Sequence, residues 1–383
     1  MKVTSVEVVR SEKPVPLPMP WRAAWREPHG TPATTLQFSM YRLSTDEGIT
    51  GIGPYTGGDP ALVLGADPGR IGEFWSAHMS GRRAGESGHN ASGMEIALWD
   101  IVGKAAGLPL YKLLGARTDR LLVYAATSRI LDTQEHARQV TELQAEGFKA
   151  VKLRLHRQDP WEDLEAVEAA REAAGDTLML LVDANQNNAS EGYRFWDRRT
   201  ALMMARELEA LGVYFLEEPL PRTDIEGLAE IAASVDMFIA GGEHTPTVYD
   251  WREHLLHGAY DILQPDLVMG GNLGITGVRK VAEFADLSGR LVIPHVLLSG
   301  ANFPLCLAPS LHAIAAVDNC PMVEFPYDPP VLTELTTQSF IKHPFRIDED
   351  GMMQLPEGPG LGVEIDEAAF GEPVIVSSVS LDD

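Results

Sequence analysis

At 383 residues the chain has room for a large barrel and a smaller companion domain, and its 55 acidic against 31 basic side chains give a formal net charge of −24. That charge repels nucleic-acid backbones and anionic membrane surfaces, so neither is an expected partner; a small anionic molecule stays open, because a bound cation reverses the local field. Two cysteines, Cys306 and Cys320, make no disulfide framework, no apolar run reaches about 18 residues, and the first residues lack a secretory signal's apolar centre, which together point to the cytoplasm.

In chain order, residues 1 to about 10 alternate as a strand, Thr34 to Ser44 as another, and the turn at Gly48 leads into Ile49 to Pro54. This is a meander rather than a βαβ unit. Between the first two strands, Pro14 to Thr31 carries five prolines with Trp21, Arg22, Trp25 and His29, and reads as a mobile surface loop. Residues 61–116 read as helical, with small and apolar residues at helical spacing over Ala91 to Lys104 and a break and restart between Gly107 and Gly115.

From Leu121 the pattern changes. Short apolar segments end one after another on a charged or polar residue: Lys152 with Arg154, Asp183 with Asn185, Glu217, Glu243 with His244, Gln264 with Asp266, His295 and Glu324. From Lys152 to Glu324 the successive ends lie 23 to 34 residues apart, one strand plus one helix per step. Asp132 with Glu135 forms a capping box, Asp159-Pro160 with Glu162 starts the next helix, and helices near 198–211, 224–234, 248–257 and 273–286 complete the alternation. Strands alternating with helices mean a parallel sheet, and this many units mean closure into a barrel whose top face collects the polar ends.

Residues two apart on a strand share a face, so Lys152 points with Arg154, Asp183 with Asn185, and Gln264 with Asp266. Asp183, Glu217 and Glu243 end three consecutive strands. Three carboxylates on one rim repel unless a cation neutralises them, and an all-oxygen set selects magnesium or manganese over zinc. Glu218 has the opposite parity to Glu217 and belongs to a supporting contact. His295 and Asp266 fall on adjacent strands, where a carboxylate fixes the imidazole tautomer and raises its basicity.

These residues, in this order and spacing, resemble the enolase superfamily in its mandelate racemase subgroup, and the resemblance runs over nearly the whole chain. It implies an α/β architecture: a modified (β/α)7β TIM barrel at 121–330, an N-terminal α+β capping domain at 1–120, and a C-terminal segment at 331–383 that packs back on the cap. It further implies one Mg2+ per subunit on Asp183, Glu217 and Glu243, with Mn2+ as a substitute, a small-molecule carboxylate substrate, and a homo-oligomer. Removal of a proton next to a carboxylate then passes through an enediolate whose charge the metal offsets. Lys152, His295, Asp266 and Glu324 would be the catalytic set, with Glu324 protonated so that it donates to the substrate carboxylate. Arg154, Asn185, His244, Trp21 and His29 would contact substrate, with specificity in the Pro14–Thr31 loop and the Gly53–Gly58 turn.

Two departures from the subgroup shape the functional expectation. The second lysine of the racemase Lys-x-Lys is Arg154 here, and a guanidinium is a poor base and a good clamp, which counts against two-base racemisation. Asn185 stands where galactonate and mannonate dehydratases carry a histidine, whereas Glu243-His244 is similar to the Gly-Glu-His of several acid-sugar dehydratases. The expected activity is magnesium-dependent dehydration of a sugar acid to a 2-keto-3-deoxy acid, with Lys152 as base and His295 as acid, or those roles exchanged. The alternatives are a racemase, epimerase or cycloisomerase on the same scaffold, and a barrel that only binds.

Overall fold

The computed structural model describes all residues except 28, 82–89, 189–191, 270–272, 299–301 and 383. The N-terminal strands are β1 (Val3–Arg10), β2 (Val15–Trp21), β3 (Ala33–Leu36), β4 (Ser39–Thr45) and β5 (Thr50–Pro54). β1, β4 and β5 form the antiparallel meander read from the sequence. Alternation along β1 puts Val6 and Val8 into one apolar cluster and Val9, on the opposite face, into another.

The Pro14–Thr31 segment is not simply loop. Its first half is β2, paired antiparallel with β3 through Val15 to Leu36 and Trp21 to Ala33. Proline is tolerated at positions 16, 18 and 20 because a two-stranded ribbon leaves backbone donors unpaired on its outer edges. The strand expected over Thr34 to Ser44 breaks at Gln37-Phe38, where the Phe38 ring is fully buried.

Within the stretch read as helical lie α1 (Ile71–His78), α2 (Ser92–Ala106) and α3 (Leu110–Leu113). α2 lies directly on β5. A Cβ at Gly53 would stand 2.0 Å from the Gly93 carbonyl oxygen and one at Gly93 1.9 Å from that of Pro54, so neither position accepts a side chain. Glu95 on α2 accepts from the Ile275 and Thr276 backbone N–H groups, both at 3.0 Å.

The barrel runs β6 (Arg120–Ala126), α4 (Thr133–Ala145), β7 (Ala150–Arg154), α5 (Pro160–Ala174), β8 (Met179–Asp183), α6 (Arg198–Ala210), β9 (Phe215–Glu217), α7 (Ile225–Ala232), β10 (Phe238–Gly241), α8 (Val248–His257), β11 (Ile262–Leu263), α9 (Gly274–Leu287), β12 (Leu291–Val292), α10 (Phe303–Ile314) and β13 (Val323–Pro326). Parallel pairing follows chain order from β6 to β12, with β13 on the other side of β6. The Val292 N–H donates to the Asn319 carbonyl (3.0 Å) at the closing seam. Both capping devices form: the Glu135 N–H donates to Asp132 (2.8 Å), and the Trp161 N–H to Asp159 (3.1 Å). Ala150, Leu181, Phe215 and Ala240 fill the barrel interior, while Val151, Leu153, Leu180, Val182 and Leu216 face the helices. That parity turns Lys152, Arg154, Asp183 and Glu217 inward.

The tail returns to the cap. β14 (Met352–Gln354) adds antiparallel to β6, β15 (Val374–Ser380) extends the meander beside β1, and the Leu361 N–H donates to Asp100 of α2 (2.8 Å). Among the described residues no helix is long and apolar enough to cross a membrane, and both cysteines are free.

Candidate active site

At the C-terminal mouth of the barrel lies a cavity of about 400 Å3, walled from below by Arg154, Asn185, Glu243, His295 and Glu324 and from above by Trp21, Trp25 and Arg26 of the cap. This is where a barrel collects chemistry. Its volume is that of a small-molecule site.

Pairing of β8 with β9 sets Asp183 opposite Glu217, and β10 stands beside them with Glu243 just past its end. The chain turns left-handed immediately beyond, at Asn185 (φ 47°) and Glu218 (φ 48°). Asn185 donates to Asp183 from its backbone N–H (2.8 Å) and its amide (3.0 Å), which fixes that carboxylate. Glu218 is buried and accepts from the Asn187 amide, the supporting contact its parity indicated.

Each carboxylate rests on a basic side chain. Asp183 pairs with Arg154; Glu217 with Lys152 at 2.6 Å; Glu243 with His295 and His244, both at 3.2 Å; Glu324 with Lys152 at 2.7 Å. In this arrangement no three His, Cys, Asp or Glu side chains among the described residues are gathered round one point for an ion. The donor chemistry nevertheless suits a hard divalent cation. Asp183 and Glu217 sit side by side, and Glu217 Oε1 is buried with no hydrogen-bond partner. Burial and then repulsion from Asp183 push the Glu217 carboxyl up to about 7, the mark of a charge that lacks full compensation.

The Asp266 and His295 backbones pair directly across adjacent strands, and His295 Nδ1 donates to Asp266 Oδ2 at 2.6 Å. The Val268 and Met269 N–H groups hold the other Asp266 oxygen. Burial lowers the imidazole, but Glu243, Glu324 and Asp266 outweigh it and raise His295 to about 10.

Two expectations meet a different electrostatic setting. Lys152, the expected base, is fully buried between Glu217 and Glu324, whose charges outweigh the burial that would lower it and raise it above its ordinary value, and it does not line the cavity. Glu324 was to be protonated. Burial raises it, but Lys152 foremost, then His295 and Arg154, bring it below the ordinary carboxylate range, and its second oxygen accepts from the Val296 N–H (2.9 Å).

Arg154 lines the cavity beneath the Trp25 ring, 5.1 Å from its centre, and donates to the Thr127 carbonyl (2.7 Å). Asn185 and His244 line the cavity as well, and Trp21 does so while donating to Ser128 Oγ (2.9 Å). His29 stands exposed in the turn beyond, outside the cavity wall. Sequence reasoning missed Arg26, Asn188, Met269 and Ser128 as wall residues. For Arg26 the available signal was its place beside Trp25 in the segment already read as a specificity loop.

Residues 6–115 match the family described as the mandelate racemase / muconate lactonizing enzyme N-terminal domain, and residues 135–369 match the enolase C-terminal domain-like family. The chain is 33% identical to an L-talarate/galactarate dehydratase of Salmonella typhimurium over 80% of its own length and 72% of that protein's. It is 32% identical to a D-galactarolactone cycloisomerase of Agrobacterium fabrum over 81% of each. Among solved structures, the Salmonella typhimurium dehydratase liganded with Mg and L-lyxarohydroxamate superposes with a TM-score of 0.80 at 27% identity, covering 99% of this chain and 94% of that one. A Streptomyces coelicolor racemase with bound magnesium gives 0.78 at 27% identity, covering 97% and 100%. With both domains matched in order and the strand-end residues where the barrel needs them, the chain belongs to the enolase superfamily, in its mandelate racemase and muconate lactonizing enzyme subgroup.

Proposed function

We propose that this enzyme is a magnesium-dependent hydro-lyase that removes water from a sugar acid. The observation that carries the reading is His295 on the cavity wall, held from behind by buried Asp266. Racemisation needs a proton-moving group on each face of the substrate. Here Lys152 is sealed off and Arg154 stays protonated, so His295 is the group that moves protons in the cavity.

Asp183, Glu217 and Glu243 would hold magnesium, the ion present in the related dehydratase and racemase structures. Bound there, the ion supplies positive charge that lowers the cost of a doubly negative enediolate and offsets the pull of Glu243 on the imidazolium. Arg154 clamps the substrate carboxylate under the Trp25 ring, and Lys152 keeps the floor from carrying unmatched negative charge. His295, oriented by Asp266, takes the proton alpha to the carboxylate and returns one to the departing beta-hydroxyl, since hydroxide leaves poorly without it. Asn185, Asn188 and His244 offer hydrogen bonds to the remaining hydroxyls. Trp21 and Trp25 exclude water from above.

The test is a panel of sugar acids with added magnesium, followed by 2-keto acid formation and by deuterium incorporation in heavy water. Dehydration of one or a few stereoisomers is the expected result. Exchange of the alpha proton across the panel without loss of water would overturn it, and a lactone opened without loss of water would move the assignment to cycloisomerisation.

A further inference from the structure

We propose that Arg26 reads a second carboxylate, so that the preferred substrates are sugar diacids rather than sugar monoacids. The inference rests on the dehydratase reading for the position of the first carboxylate, at Arg154 and the acidic rim.

Arg26 closes a single helical turn, Ala24–Arg26, that is built onto the barrel rather than hung over it. The Ala24 N–H donates to the Ser128 carbonyl (2.7 Å), Trp21 Nε1 donates to Ser128 Oγ (2.9 Å), and Ser128 is itself anchored through its N–H (3.0 Å) and hydroxyl (2.6 Å) to buried Asp328. Ala23 and Ala24 are buried beneath the turn. The Gly30 N–H returns to the Arg26 carbonyl (2.7 Å), and a Cβ on Gly30 would lie 2.5 Å from Arg26 Cβ, so the following bend is folded hard against this residue. Trp25 covers Arg154 while its neighbour Arg26 lines the same cavity at the mouth.

The charge balance then singles Arg26 out. Arg22 pairs with Glu27, Arg129 with Asp328 and Arg154 with Asp183, but no carboxylate of the described residues lies within ion-pair reach of Arg26. Arg26 is exposed to solvent at the cavity wall and, of the two arginines that line the cavity, is the one without a carboxylate partner among the described residues. The same cavity wall carries the neutral and apolar residues Trp21, Thr31, Ala33, Leu298 and Leu332 beside its charged floor. A substrate ending in an alcohol leaves the guanidinium unmatched, whereas a terminal carboxylate meets its planar fork with two parallel hydrogen bonds.

The experiment compares binding and turnover of six-carbon sugar diacids with the monoacids of the same stereochemistry, using the full-length enzyme with magnesium, its Arg26→Met variant and its Arg26→Lys variant. Calorimetry reads binding, and 2-keto acid formation reads turnover. The wild type should bind its best diacid roughly 10-fold or more tightly than the matched monoacid, as one charge-assisted contact gives. In Arg26→Met that ratio should collapse toward one, and Arg26→Lys should restore part of it. A wild type with no preference for diacids, an equal loss for both classes in Arg26→Met, or failure of both classes to bind overturns the proposal. Tight, Arg26-dependent diacid binding without any 2-keto product would instead overturn the dehydratase reading and leave the diacid site standing.

Discussion

On the floor of the cavity, Lys152, Asp183, Glu217, Glu243 and Glu324 have almost no exposure and each is ion-paired to another floor residue, to Arg154 or to His295, whereas the roof from Trp21 to Arg26 is pinned by two hydrogen bonds to one serine. The floor is an electrostatic lattice in which no member changes alone. The roof is a short segment whose side chains are replaceable at small cost to the fold. Chemistry that must not vary sits where interactions are redundant, and selection among substrates sits where they are few.

The largest effect should come from breaking the floor. Asp183→Asn, Glu217→Gln and Glu243→Gln should each lower kcat by at least about 10^3 and weaken magnesium binding in calorimetry, with circular dichroism unchanged. Full turnover in any one of them would remove that residue from the metal set. Next, His295→Asn should cost about 10^2 to 10^4 in kcat and suppress alpha-proton exchange in heavy water together with elimination. Exchange that survives while elimination fails would return the base role to Lys152.

A third prediction lies outside both regions and checks that the contrast is not a general softness of the cap. His312 accepts from the Tyr111 N–H (3.1 Å) and donates to the Leu361 carbonyl (3.1 Å), and burial pulls it down to about 4; burial likewise brings His136 to about 4. The unfolded chain takes up these protons near 6.5 and the folded one does not. Stability is therefore complete above pH 6.5 and falls as pH drops toward 4, by up to about 3 kcal/mol for each group. Thermal unfolding between pH 7 and 4.5 should show this loss, and His312→Gln should shrink it. The smallest effect belongs to the roof: Ser128→Ala removes the acceptor for Trp21 and should cost about 1 kcal/mol while raising KM several-fold with kcat little changed. An equal fall in kcat would mean that the roof takes part in the chemistry.

The barrel was legible because seven strand ends carry their charge in register and because Asp132-Glu135 and Asp159-Pro160 announce helix starts. α10 was not. Phe303–Ile314 is buried on every side and contains Pro309, so it offers neither a polar face nor an uninterrupted helical signal. The strand-end residues of the floor lie side by side as their register indicated, whereas their charge was not legible, since that of Lys152 and Glu324 depends on which partners the fold presses together. β2 and β3 hid behind alternating prolines, and with them the side of the loop that faces the cavity.

α9 begins without a side-chain cap of its own, and Glu95 of the N-terminal domain supplies the missing acceptor across the domain boundary. The cap is thus not an interchangeable lid on an independent barrel. A chimaera that borrows this domain from a relative must bring an acidic residue at position 95, or the sixth barrel unit loses the start of its outer helix, the one that follows the Asp266 strand end. Recombination within this superfamily is constrained at that joint, whereas exchange of side chains within the Trp21–Arg26 segment leaves the joint intact.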